Sequence, residues 1–414
     1  MNFPKMFRVR QELEGPTVAD VPSAVRESLA GLHLAGRVKP GQSVALTSGS
    51  RGVANVAVIT LTVVGVMKQL GLRPFIVPAM GSHGGGTAEG QARILAHYGI
   101  TESSMGCPVK SSMEVVPVAQ ENDMPVFCDR FAWEADHIGV IARVKPHTDF
   151  EGESESGLFK MMAVGLGKRH GAEHYHRAGH QHGYASVFRG VGQAVLDTGH
   201  VLFGVAIVEN GRERTAGIQA ALPPDFGTVE AAMLANARAW LARLPFQEID
   251  VLVVDELGKN ISGAGMDPNV TGRASVQKPA GKPHVRRLVV RDVTDESEGN
   301  AIGIGYADLT TSRLARKIDY PAMHVNAITA GVPEAAKVPM VLESDRDALC
   351  AALRMIGLTP PERARVVRIR STLHLDEFLA SEAMLAEVDS HRRLTRLEDP
   401  VTVAFDENGN LPPL

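Results

Sequence analysis

The sequence predicts an α/β protein of two domains, each built on a mainly parallel sheet flanked by helices. Three observations point there. An apolar run, a Gly/Ser loop and an amphipathic helix follow one another repeatedly through the first half of the chain. The runs are short and nearly continuous, as strands covered on both faces are. A second series of such runs opens at Ile249, and 414 residues exceed what one ordinary core accommodates. The expected domains are residues 1–247 and 248–414.

Taken in order, Ser43–Thr47 reads as a strand leading into Ser48-Gly49-Ser50-Arg51-Gly52 and a helix through Leu70. Pro74–Ala79 leads into Gly81-Ser82-His83-Gly84-Gly85-Gly86-Thr87 and a helix to about Tyr98. Ile138–Val144 leads into Lys145-Pro146-His147. His200–Ala221 reads as a strand pair turning at Asn210-Gly211. A helix from about Thr228 to Leu244 follows, ended by Pro245. In the second domain Ile249–Val254, Val285–Val293, Ala301–Ala307 and Val366–Ile369 read as strands. Ser344 caps a helix whose apolar positions are Leu349, Leu353 and Ile356. Leu375–Val388 reads as a further helix, and the apolar tail Val401–Phe405 is expected to pack back across the domains.

Composition narrows the function. A net charge of −4 without a basic stripe gives nucleic-acid binding no footing. Three cysteines, none in a CxxC spacing, argue against a disulfide scaffold or a thiolate zinc site and fit a reducing compartment. The N-terminus lacks the apolar core of a signal peptide. The most apolar run, Val53–Leu72, is broken by Asn55, Thr60, Thr62 and Lys68, so it reads as a soluble helix. The expected location is the cytoplasm, with neither nucleic acid nor membrane as a partner.

Chemistry is expected where loops leave the carboxyl ends of parallel strands, since ligands collect there. Arg51, His83, and Lys145 with His147 each sit in such a loop. Arg51 could grip an anion at the mouth of a glycine turn and helix N-terminus, or be a surface arginine. Glycines 84–86 would let backbone approach a ligand beside His83, or form a loose loop. Pro146 holds Lys145 extended, and a stiff loop suits an aimed base at His147. Lys160 lies among Leu158, Phe159, Met161 and Met162, where it either snorkels to solvent or is held inside for covalent work.

Five histidines fall between His170 and His182. His174 and His176, two apart, cannot face one way on a helix, and the same holds for His180 and His182. His170 and His174 could share a metal, but no Glu of a His-Glu-x-x-His motif accompanies them.

The order Lys145-Pro146-His147, then Ser156-Gly157-Leu158-Phe159-Lys160, then His176 resembles the nickel-dependent lactate racemase family. The Arg51 loop and the Gly81-Ser82-His83 loop fall where that family has its other site residues. The resemblance implies two α/β domains with the active site in the cleft between them. It also implies a nickel-pincer nucleotide (pyridinium-3-thioamide-5-thiocarboxylic acid mononucleotide). Lys160 would be the covalent tether, His176 the nickel ligand, His83 and His147 the acid–base pair, and Arg51 the group orienting the substrate. Ser48, Ser50 and Gly84 join Lys160 as expected cofactor-binding residues. Lys259, in the loop after Ile249–Val254, resembles a family lysine that contacts substrate. The implied reaction racemises or epimerises a 2-hydroxy acid, with hydride passing to a pyridinium carbon while a histidine takes the hydroxyl proton.

Departures from the family pattern concern the substrate. The His147–Lys160 spacing is longer and adds Glu151, Glu153 and Glu155. The Arg51 loop lacks the Asp and Pro of the lactate enzymes. Trp133 and Trp240 both precede the second domain, so the tryptophan lining the lactate pocket has no counterpart. A different, larger or polar 2-hydroxy acid is therefore expected, with the cofactor-synthesis enzymes as partners and a homo-oligomer left open. Two alternatives stand beside this reading. One is a zinc hydrolase using the His170–His182 cluster, which would bind metal through several of those histidines. The other is a non-catalytic protein that binds an anionic ligand through Arg51 and the glycine loops.

Overall fold

The computed structural model describes residues 2–50, 52–148, 150–273 and 282–414. The architecture is mixed α/β, with mostly parallel sheets flanked by helices. The chain divides into two compact units, Glu14–Leu241 and Ala242–Leu414, the second joined by the N-terminal residues up to Leu13. Among the described residues no helix is long and apolar enough to cross a membrane.

In the unit Glu14–Leu241 the main sheet has five strands, in the order Arg73–Pro78, Ser43–Ser48, His137–Arg143, Val201–Glu209, Thr215–Ala221. The first four are parallel and the last turns back antiparallel. Alternate strand residues enter two cores. Ala45, Val77, Val140 and Ala206 face one, while Val44, Leu46, Ile76 and Val205 face the other. Burial on both faces explains why these strands read as near-continuous apolar runs. From Ser43–Ser48 the chain departs to one side of the sheet, and from His137–Arg143 to the other. The strand order reverses between these two neighbours, and in open α/β sheets that is where a crevice forms at the carboxyl ends.

A hairpin in this unit, Val115–Glu121 with Met124–Asp129, was not expected from the sequence. Pro117 and Pro125 interrupt its alternation, and its turn is Asn122-Asp123 with both residues at positive φ. The helix expected to reach Leu244 is Phe226–Trp240.

The second unit carries an eight-stranded mixed sheet. Met340–Leu342, Leu309–Thr311, His284–Val293, Glu248–Leu257 and Val366–Ile369 run parallel. Glu377–Ser381, Met6–Gln11 and Leu394–Arg396 add antiparallel strands at one edge. Residues up to Leu13 therefore go with this unit and not, as the expected 1–247 division has it, with the first. A lone strand that completes a sheet some hundreds of residues away leaves no local signal.

Two other expectations are corrected here. The segment expected as a helix from Leu375 to Val388 is a strand, Glu377–Ser381, followed by a short helix, Leu385–Ser390. Phe378 and Ala380 bury on one face once Met6–Gln11 pairs alongside, and that partner overrides helical propensity. Ala301–Ala307, expected as a strand, holds only a helical turn at Ile304–Tyr306, and the strand lies at Leu309–Thr311. Gly303, at φ 94°, packs so closely on Ala264 that a Cβ would lie 1.8 Å from its carbonyl oxygen. The tail packs within its own unit, with Val401 bridging Met6 and Phe405 against Phe3.

Buried charges hold this unit's strands to its C-terminal segment. Asp345 takes the Arg291 guanidinium at 2.6 Å, Arg313 at 3.1 Å and the Leu411 N–H at 2.8 Å. Asp255 pairs with Arg291 at 2.8 Å and Arg368 at 2.7 Å. Removing one partner strands a desolvated charge. Asp345→Ala is expected to lower urea-unfolding stability by about 3–5 kcal/mol, whereas exposed Glu343→Ala stays within about 0.5 kcal/mol. Equal effects of the two would show that the network contributes little.

Candidate active site

Ser48 ends its strand with a buried side chain whose Oγ has no hydrogen-bond partner among the described residues. Ser50, two residues on, hydrogen-bonds through Oγ to Nδ1 of His83. The His83 main chain is gripped from behind. Buried Gln91, in the helix Ala88–His97, donates through Nε2 to the carbonyls of Gly81 at 2.9 Å and His83 at 3.3 Å. Gly84, at φ 67°, lies back to back with Gly90, where a Cβ would sit 1.9 Å from the Gly84 oxygen. The glycine at 84 thus lets the loop meet its own helix.

The Gln91 amide oxygen faces Lys168 Nζ at 3.4 Å. Lys168 is fully buried, pairs with Asp129 at 2.9 Å and donates to the carbonyl of Pro78. Burial pulls its ammonium below the ordinary lysine range, and Asp129 opposes that shift. At φ 53° it also adopts a left-handed conformation unusual for a side-chain-bearing residue. It opens the helix Lys168–His182.

His147 sits on the loop that follows His137–Arg143. Lys145 and Ser156 exchange backbone hydrogen bonds of 3.0 and 3.2 Å, which close the base of this loop. The extra acidic residues are therefore accommodated without separating the flanks, and Lys160 Nζ contacts His147 Nε2. Glu155, expected only as an unexplained insertion, is buried and accepts the His147 N–H at 2.5 Å. It also pairs with Arg238. Phe150 stacks on the His147 ring at 4.2 Å and 24°.

Lys160 lies in a first turn anchored by Glu230. That carboxylate accepts from Ser154 Oγ and from the Phe159 N–H at 3.2 Å. Burial raises its pKa, and those donors oppose the rise. Gly157 is needed beside it, because a Cβ there would lie 2.4 Å from Glu230 Oε2.

His176 hydrogen-bonds through Nδ1 to the carbonyl of Ala172 at 2.6 Å. Since a carbonyl only accepts, Nδ1 carries the proton and Nε2 keeps its lone pair. Desolvation pushes the His176 pKa down to about 4, with the positive charge of Lys160 acting in the same direction. A neutral imidazole with one nitrogen anchored to a carbonyl is the state a metal ligand requires. Phe188 ties these groups together, 5.4 Å from the His176 ring, 5.8 Å from Phe150 and 5.6 Å from Lys160 Nζ.

The two halves of the site touch. A Cβ at Gly49 would lie 3.3 Å from Met161, and one at Gly81 would lie 3.4 Å from the Ala172 methyl. The structure thus brings Ser48, Ser50, His83, His147, Lys160 and His176 to one region of one unit. Arg51 lies outside the described residues. Lys259 belongs to the other unit, where its Nζ donates to Gly263 O and its N–H to Ser297 Oγ, both at 2.8 Å.

The remaining histidines of the 170–182 stretch go elsewhere. His170 and His174 pack on Phe127, and His180 bonds Tyr184. Among the described residues no three His, Cys, Asp or Glu side chains are grouped to hold a metal ion. The expected zinc-hydrolase cluster is split, because residues two apart on one helix face different ways, with His170 and His174 toward Phe127 and His176 and His180 toward Tyr184.

In sequence the chain matches no family model and no curated protein. In fold it matches solved structures. The lactate racemase apoprotein from Thermoanaerobacterium thermosaccharolyticum superimposes with a TM-score of 0.54 at 11% identity, over 88% of this chain and 94% of that one. The fold is similar to that of lactate racemase. A structural-genomics protein from Thermotoga maritima matches with a TM-score of 0.53 at 12% identity, over 88% of this chain and 99% of its own. At such identities the likeness speaks for the fold alone, and the chemistry rests on the residues above.

Phe150, Phe188, Glu155, Glu230, Gln91 and Lys168 were not identified from sequence. Only the Glu155 insertion offered any signal. One consequence is measurable. Because the His176 pKa falls from 6.5 to about 4, its neutral ring contributes stability above about pH 6.5 that is lost as pH drops toward 4. Nuclear magnetic resonance should find His176 as the Nδ1–H tautomer at pH 6, titrating near 4. Titration near 6.5 would mean that the ring is solvated.

Proposed function

We propose that this chain is a racemase or epimerase of a 2-hydroxy acid that works with a nickel-pincer nucleotide. The observation that carries the reading is the meeting of Lys160, His147 and His176, beside the Ser50–His83 pair, in a fold similar to that of lactate racemase. The residues present fit such a group. Ser48 offers a buried hydroxyl with no hydrogen-bond partner among the described residues, Lys160 an amine, and His176 a neutral imidazole with a ligating lone pair. Lys160 would hold the group covalently and His176 its nickel, with Ser48 as a further contact. When bound, the group supplies an acceptor for the hydride on the substrate's hydroxyl-bearing carbon.

The chain's own residues handle the proton and the geometry. His83 and His147 stand on separate loops, so each can serve one enantiomer as base and the other as acid. Ser50 fixes the His83 ring through Nδ1, which directs Nε2 at the reacting hydroxyl. Phe150 and Glu155 fix the His147 ring and its loop. A lysine carrying an acyl group has no ammonium proton to offer, so modification of Lys160 would release His147 Nε2 for the substrate. Arg51 is proposed to grip the carboxylate bidentately, and Lys259 to contact substrate.

The proposed substrate is a 2-hydroxy acid other than lactate. Trp133 stacks on His200 at 4.0 Å, and Trp240 lies against Gly15. Neither tryptophan is available to narrow the pocket.

Protein made together with the cofactor-synthesis enzymes should show a mass adduct on Lys160 and near-stoichiometric nickel, both disturbed in Lys160→Ala. Enantiopure 2-hydroxy acids followed by chiral chromatography should then racemise or epimerise. His83→Asn and His147→Asn should each lower kcat by about 10²–10⁴-fold with little change in KM. Unmodified protein, free of nickel under those conditions, would sink the assignment.

A further inference from the structure

We propose that Lys160 is a nucleophilic lysine with His147 as its general base, and that it acylates itself from an activated acyl donor such as a thioester. The chain holds the parts of a nucleophile, a base and a group that orients the base. The nucleophile Nζ contacts Nε2 of the imidazole. The imidazole is aimed by Phe150, stacked at 4.2 Å, and the loop beneath it is fixed by Glu155, which accepts the His147 backbone N–H. The nucleophile's own position is fixed from the other side, where Glu230 accepts the Phe159 N–H one residue before it. Phe188 borders Nζ, 5.6 Å from the ring centroid. A lysine whose role was to snorkel to solvent would need none of these supports.

The step balances without an oxidant or reductant. Lys160 passes one ammonium proton to His147 Nε2, and the freed amine attacks the acyl carbon. The carbon–sulfur bond breaks, the departing thiolate takes the proton back from His147, and the surplus proton on nitrogen leaves to water. An amide at Lys160 and a free thiol result. Imine formation would instead require a donor to expel hydroxide, whereas acyl transfer needs only a base that returns its proton to the leaving group.

This inference goes beyond the racemase reading, because it needs neither nickel nor a hydroxy acid. It also gives that reading a route by which the chain could modify its own lysine.

The test uses the full chain and the acetyl thioester of N-acetylcysteamine, with peptide mass spectrometry following acetylation at every lysine over time. Lys160 should acetylate faster than exposed Lys5 and Lys39. His147→Gln and His147→Asn should slow Lys160 by about 10²-fold while leaving Lys5 and Lys39 unchanged. His137→Gln, whose ring faces Gln42, should behave as wild type. Lys160 reacting no faster than Lys5 in the wild-type chain would overturn the proposal, whatever the variants' folding. Unchanged Lys160 labelling in a His147 variant of wild-type circular dichroism would overturn it equally. Either failure leaves nickel loading and racemisation to their own assays.

Discussion

A single buried ammonium holds the candidate site in register. Lys168 reaches the carbonyl that ends the strand Arg73–Pro78, the carboxylate of Asp129 at the end of the hairpin, and the amide of Gln91, which grips the His83 loop. It also starts the helix that carries His176. A charge so deeply buried persists only when its hydrogens find acceptors, and here three acceptors come from three separate segments. Its left-handed backbone is a further cost, tolerated because the contacts around it over-determine the position. The His83 loop and the His176 helix are therefore tied to one atom.

Buried carboxylates do comparable work for the other half. Glu155 and Glu230 bind backbone N–H groups beside His147 and Lys160, and so fix main chain where the reactive side chains begin. Each is shielded from water, so its hydrogen bonds are stronger and their loss more costly than on a surface. Reactive groups on loops are thus given a rigidity that loops lack by themselves, which preorganised chemistry requires.

Histidine roles separate by environment. His176 is kept neutral by burial and anchored through Nδ1, which suits a ligand. His83 and His147 keep a side-chain partner on a ring nitrogen, which suits proton transfer. His170, which is exposed, and half-buried His174 lie against the edge of Phe127. Crowding of histidines in sequence therefore said little about shared function.

The sequence by itself determined the α/β class, the strands of the first unit's main sheet and the loops that carry His83 and His147. Those follow from local pattern, since strands buried on both faces are apolar throughout and glycine turns mark their ends. Tertiary structure alone decided the rest. Met6–Gln11 completes a sheet whose other members lie at the far end of the chain, and Glu377–Ser381 is a strand because that partner is present. The His147–Lys160 contact depends on a loop closed between Lys145 and Ser156, which spacing along the chain does not reveal. Lys168, Gln91, Glu155 and Glu230 look like ordinary polar residues until folding removes water from them. Desolvation and partner choice are non-local, so local pattern has no access to them.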